Sequence, residues 1–191
     1  VDYAAIVAAR KKYQGKKVPW WWKKLFGSQE KKAPLCAALE AKDEDAAEAL
    51  LDGEADPNEV DGNGRNALHM AAWKGCRLPL FHRILGMIHN VNAGDKYGTT
   101  ALMYAADCNH LDMVVSLMNH PGINVNVQDG GNFTALHWAA SKNHPAILAQ
   151  LVSDDRVDTS LKDEYNDTPL KYAILGGFAE CEQILREHGA A

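Results

Sequence analysis

A step of 34 residues runs through this chain and limits what it can fold into more than any other feature. Leu68, Leu102, Leu136 and Leu170 are each 34 residues apart. Asp61, Asp95, Asp129 and Asp163 keep the same step, and so do Asn58, Asn92 and Asn126, with Ser160 in the fourth place. Four segments align without gaps: RNALHMAAWKGC from Arg65, TTALMYAADCNH from Thr99, FTALHWAASKNH from Phe133 and DTPLKYAILGGF from Asp167. Leu35 lies 33 residues before Leu68 and marks a weaker first copy. A unit this short cannot bury its apolar face alone; stacking on neighbours completes the core.

Each unit reads as helix, turn, helix and loop. Gly64, Gly98, Asn132 and Asn166 each stand three residues before the Ala or Pro at 67, 101, 135 and 169, and Gly and Asn tolerate positive φ, so this is a turn. Asn66, Thr100, Thr134 and Thr168 are suited to the N-cap of a first helix, and Pro169 to the position after it. Gly75, Asn109, Asn143 and Gly177 are suited to stopping that helix. Pro79 and Pro145 fit the first turn of a second helix, whose apolar residues keep helical spacing, as in Met113, Val114, Leu117 and Met118. The pairs Ala71–Ala72, Ala105–Ala106 and Ala139–Ala140 leave room for close helix approach.

This pattern resembles the ankyrin repeat family. The family's G-x-T-P-L-H-x-A-A-x-x-G-H signature is met by Gly98-Thr99-Thr100-Ala101-Leu102-Met103-Tyr104-Ala105-Ala106-Asp107-Cys108-Asn109-His110 and its relatives, and the A-D-x-N-x-x-D ending by Ala55 to Asp61. The resemblance covers about residues 31–191, as units near 31–63, 64–97, 98–131, 132–165 and 166–191. There are departures: Met103 and Lys171 stand where His69 and His137 keep the family's histidine, and Lys42 replaces the usual Gly in the first unit. The expected class is an all-α ankyrin-repeat solenoid of helix-turn-helix-loop units, with an N-terminal helical, Trp-rich extension over residues 1–30. The first residue is Val1, which suggests a fragment or a processed chain.

Few residues point to chemistry. The eight histidines fall at repeat positions or singly, and equivalent positions in stacked units stand too far apart to share a metal, so neither metal nor cofactor is expected. No G-x-S-x-G, H-E-x-x-H, P-loop or dinucleotide fingerprint is present, and an enzyme is not expected. Cys36, Cys76, Cys108 and Cys181 are scattered, which reads as reduced thiols in a cytoplasmic protein. No run of 18 apolar residues occurs.

What varies at fixed repeat positions is more informative. The resemblance implies a partner-binding concave face and turn tips carrying Asn63, Arg65, Trp73, Lys74, Tyr97, Thr99, Tyr104, Asp107, Phe133, Trp138, Lys142, Tyr165 and Asp167. Met70, Tyr104, Trp138 and Tyr172 share one position beside the Ala pair and compete as core; Trp73, Tyr97, Phe133 and Tyr165 face less core demand. The expected function is protein–protein interaction or scaffolding.

Charge separates two regions. Residues 1–32 hold nine basic and two acidic side chains, net +7, against −5 for the whole chain, so the remainder carries −12. That favours a partner with a basic surface and disfavours nucleic acid. Val1–Lys12 has helical spacing, and Trp20, Trp21, Trp22, Lys23, Lys24 and Phe26 follow. Three readings stay open for this stretch: a cap over the first unit, a membrane-surface anchor, or a docking segment. The alternatives for the chain as a whole are a membrane-recruited adaptor and a regulatory or substrate-recruiting arm of a larger enzyme.

Overall fold

The computed structural model describes residues 33–190. The extension over 1–30, with Trp20, Trp21, Trp22, Lys23, Lys24 and Phe26, lies outside the described residues, so the three readings of it are untouched. Among the described residues there are ten helices and no strand beyond an isolated bridge between Gly94 and Thr100. They group into two compact units that divide at Ile88 and His89.

The first unit holds α1 (Pro34–Glu40), α2 (Glu44–Asp52), α3 (Ala67–Lys74) and α4 (Leu78–Met87). In it α1 packs on α2 and α3, and α3 on α4. The second unit holds α5 (Ala101–Asp107), α6 (Leu111–Met118), α7 (Ala135–Ser141), α8 (Pro145–Val152), α9 (Pro169–Gly176) and α10 (Ala179–Glu187). Here α5, α7 and α9 form one layer and α6, α8 and α10 a second, each pair joined across the layers.

The first helix of each of these last four repeats starts where the sequence places a cap. The side chains of Asn66, Thr100, Thr134 and Thr168 accept the backbone N–H three residues on. In α3 and α7 the third helical residue is a histidine whose Nδ1 accepts the cap residue's own N–H, at 3.2 Å in both cases, so two end donors are satisfied reciprocally. The same helices stop on positive φ at Gly75, Asn109, Asn143 and Gly177. In the first repeat Lys42 takes that conformation with φ 57°, a costlier choice for a residue with a Cβ.

Packing relies on alanine pairs in the inner layer, beside buried leucines such as Leu102 and Leu136, and on large apolar residues in the outer one. Ala105, Ala106, Ala139 and Ala140 are fully buried, where helix α7 meets α5 and α9. Val114, Leu117, Ile147, Leu148, Leu151 and Leu185 fill the space beneath them. The loops are tied by the recurring asparagines. Asn92 accepts from the Asn124 N–H and donates to the Gly122 carbonyl; Asn126 accepts from the Asp158 N–H and donates to the Arg156 carbonyl. Each side-chain amide thus bonds the next loop twice. Ser160, the fourth member, bonds only locally to Asp158.

The last repeat differs at its outer positions. Ile174 stands where Ala106 and Ala140 stand in the repeats before it, and it is 42% exposed against 0% for each alanine. Replacing Ala140 with Leu should therefore overpack the layer and lower stability by about 1–3 kcal/mol. Ile174→Ala, at the matching but uncovered position, should change it by about 0.5 kcal/mol or less. Chemical unfolding of the two variants checks the contrast; equal losses would refute this account of the layer.

Candidate functional site

The turn that precedes each inner helix is organised by one carboxylate. Oδ1 of Asp61 accepts the N–H groups of Asn63 and Arg65; Oδ1 of Asp95 accepts those of Tyr97 and Thr99. Asp129 does the same for Gly131 and Phe133, and Asp163 for Tyr165 and Asp167. Backbone bonds close each turn, for example from the Asp129 N–H to the Phe133 carbonyl at 2.9 Å. Neighbouring tips are stitched together: the Gly130 N–H donates to the Tyr97 carbonyl at 2.7 Å, and the Glu164 N–H to the Gly131 carbonyl at 3.1 Å. Gly98 sits at φ 79°, and a Cβ there would come within 3.2 Å of the Asp129 backbone.

The second oxygen, Oδ2, is anchored from the inner helix. It accepts from the Tyr104 hydroxyl at Asp95 (2.8 Å), the Trp138 indole N–H at Asp129 (3.3 Å) and the Tyr172 hydroxyl at Asp163 (2.5 Å). Met70 has no donor for this, and there Arg65 takes over: its Nε and Nη2 reach Asp61 Oδ2 at 2.9 and 2.6 Å. The two readings of the Met70 stripe therefore meet. Met70 is fully buried, while Tyr104, Trp138 and Tyr172 are half-buried, with a polar tip bonded to the turn. The structural role of the four aspartates was not assigned from sequence, although an aromatic donor nine residues after the Asp in three repeats was the available signal.

Burial opposes ionisation of Asp61 and Asp163, but the hydrogen bonds they receive outweigh it. For Asp61 these come from Arg65 and the Asn63 N–H, and for Asp163 from Tyr172 and the Asp167 and Tyr165 N–H groups; both carboxyls sit below the ordinary 3.8. Burial and the Asp163 contact push Tyr172 well above the usual phenol value. His137 is lowered from 6.5 because burial disfavours its charged form, against the pull of the Asp167 carbonyl, Asp163 and Asp129. Its Nδ1 accepts from the Thr134 N–H, so Nε2 carries the proton and donates to the Asp167 carbonyl at 3.3 Å. The histidine is thus a brace between repeats. Burial raises the Cys36 and Cys76 thiols to about 12, and no cysteine forms a disulfide.

The expected contact residues fall into separate groups. In the first unit Trp73 lies beneath two cations, with the Arg65 guanidinium 4.9 Å and the Lys74 ammonium 3.6 Å from its ring; Asn63 and Arg65 sit on the neighbouring turn. In the second unit Tyr97, Thr99, Phe133 and Trp138 line an open cleft of about 880 Å³ with Lys96, Gly98, Gln128, Asp129, Gly130 and Gly131. Tyr97 is 65% exposed, and Tyr165, on the following tip, is 73% exposed. Phe133 is more tightly held than its position suggests, with the rings of His137, Trp138 and Tyr172 at 5.1–5.4 Å. Asp107 and Lys142 form an ion pair at 3.3 Å between α5 and the end of α7, and Asp167 contributes its carbonyl to His137. Among the described residues no three metal-ligating side chains converge, and no helix is long and apolar enough to cross a membrane.

Residues 35–129 match a family pattern described as ankyrin repeats in three copies, and residues 117–173 one described as ankyrin repeats in many copies. The two together run from residue 35 to residue 173. This chain belongs to the ankyrin repeat family. It is also similar to the human photoreceptor ankyrin repeat protein, 37% identical over 81 residues, which is 38% of this chain and 17% of that protein. Ankyrin repeats are generally protein–protein interaction modules and typically non-enzymatic, and the all-α repeat fold described above is that of the family.

The ionisation pattern of this ankyrin repeat chain sets its acid sensitivity. A histidine with a lowered folded value adds protons on unfolding, so stability is full above 6.5 and falls as pH drops toward the folded value. Asp61 and Asp163 contribute above 3.8 and lose that contribution as pH falls through their folded values. Urea midpoints should be level from about pH 8 to 7, decline gently below about 6.5 and drop steeply below about 4. His137→Gln should remove much of the gentle decline and leave the steep one; an unaltered upper decline would assign it to other groups.

Proposed function

We propose that this chain is a non-enzymatic interaction module that holds a partner protein on its turn tips and inner-helix face. The observation that carries the reading is the pair of large aromatic side chains, Tyr97 and Tyr165, left exposed on turns whose backbones are fixed from both oxygens of an aspartate. Aromatic side chains on a rigid frame lose little freedom on binding and dominate many interface energies. The cleft beside Tyr97 offers a recess for a partner side chain. Trp73 with Arg65 and Lys74 forms a second aromatic spot in the first unit.

Charge supports a partner with a basic surface. Outside residues 1–32 the chain carries −12, so association with such a partner should be accelerated electrostatically and slowed by salt. The match spans 17% of the photoreceptor ankyrin repeat protein.

Tyr97→Ala combined with Tyr165→Ala should weaken partner capture by about tenfold or more, with the thermal midpoint nearly unchanged because both rings face solvent. Phe133→Ala should instead lose stability, by about 1–2 kcal/mol, since it packs on three rings. Quantitative affinity capture of the wild-type chain and the double variant, alongside thermal melts, separates the two effects. Undiminished capture by the double variant would sink the proposed face.

A further inference from the structure

We infer that the cleft at Asp129 takes the guanidinium of an arginine supplied by a basic segment of the partner. The inference rests on the reading of this face as partner-binding and names the side chain that enters it. Its basis is a comparison of four turns with the same backbone. In each, Oδ1 of the aspartate is used by two backbone N–H groups. Oδ2 is bonded at 2.8 Å or less by a hydroxyl or a guanidinium at Asp61, Asp95 and Asp163. At Asp129 it receives the Trp138 indole N–H at 3.3 Å, a long and weak bond.

The Asp61 turn shows what completes such a carboxylate. Arg65 reaches Oδ2 with two nitrogens, and its guanidinium also lies over the Trp73 ring. Phe133 occupies the equivalent of the Arg65 position in the Asp129 turn, so that repeat has no arginine of its own. It has instead an open cleft in front of Asp129, with Tyr97, Phe133 and Trp138 as aromatic walls. Asp129 is also left part-exposed, whereas Asp95 and Asp163 are buried. An arginine arriving from outside would meet the same two groups that hold Arg65 internally: a carboxylate that accepts a fork and aromatic faces that accept a cation.

The surrounding charge agrees. A Cβ on Gly131 would lie 3.8 Å from the Glu164 carboxylate, so a second acidic group stands at the cleft's edge. Lys96, whose ammonium lies 4.9 Å from the Tyr97 ring, opposes it. Residues 89–191 carry 13 acidic and 6 basic side chains, a net −7 that favours the approach of a basic segment. Lysine would supply the charge but not the planar fork, so arginine is the better occupant.

The test titrates the whole chain, labelled with nitrogen-15, with the heptapeptide Gly-Ser-Gly-X-Gly-Ser-Gly. X is arginine, lysine or citrulline, the last being an uncharged mimic of arginine's shape. The arginine peptide should shift the Trp138 indole N–H and the Gly130 and Gly131 amides, and bind about tenfold tighter than the citrulline peptide. Asp129→Asn keeps the Oδ1 acceptor for the turn and should abolish this preference. Phe133→Arg places in this turn the residue its sister turn already carries, and should fill the site from within and block the peptide. Equal binding of the arginine and citrulline peptides, no shifts at these amides, or arginine binding indifferent to both variants would overturn the proposal. Those results would leave the Tyr97 and Tyr165 capture experiment standing on its own.

Discussion

Helices of seven to ten residues are marginal in water, since nucleation is costly and few internal bonds repay it. Each repeat here consists of two such helices, and neither holds without a neighbour. What makes the neighbour effective is the alanine face of the inner helix. With small methyl groups at Ala105, Ala106, Ala139, Ala140 and Ala173, α5, α7 and α9 can lie close enough for their caps, turns and loops to bond across the gap. The outer layer then fills with Val114, Leu117, Ile147, Leu148 and Leu151, all fully buried. The hydrogen-bonded stitching depends on this spacing. The Asn92 and Asn126 amides, the His137 ring and the Gly130 N–H each reach a partner about one repeat away.

Within each unit the turn aspartates fix the turns on which the proposed contact residues stand. A five-residue loop left to itself would lose considerable freedom on meeting a partner. Here two N–H groups, a backbone closure and a side-chain anchor fix it in advance. The anchor differs between repeats: a phenol at Asp95 and Asp163, an indole at Asp129, a guanidinium at Asp61. The exposed Tyr97 and Tyr165 therefore stand on frames whose ordering has already been achieved in folding.

Much of this fold was legible in the sequence because its signals are local and repeated. Thr100, Thr134 and Thr168 announce helix starts, Asn109 and Asn143 announce stops, and the leucine step sets the register. The site was less legible because its geometry arises between positions far apart in the chain. Tyr104 and Trp138 look like core from their place beside the alanines; only the fold shows their polar ends meeting an aspartate nine residues earlier. Phe133 reads as a solvent-facing tip, yet the fold brings the Tyr172 ring, from the following repeat, to 5.1 Å. Nothing in the spacing of Gly130, Gly131 and Tyr97 reveals that they enclose a cleft.

Substitution at a fixed repeat position is most informative once the neighbour of that position is known. Asn92 and Asn126 each bond the next loop; Ser160, at the same place in the last repeat, bonds within its own. His137 braces the following turn, while Lys171 at its equivalent is exposed. Ala106 and Ala140 are covered, and Ile174 is not. In all three cases the residue that departs lies in the last described repeat and does not make the contact its counterparts make. The Arg65 and Phe133 pair follows the same logic in the opposite direction. There the covering group has changed from a guanidinium to the longer-bonded Trp138 indole, while the carboxylate is retained, with its Oδ1 work in the backbone unaltered and Asp129 lining an open cleft. A retained acceptor whose internal donor is long and weak is what the proposed position for an external arginine requires.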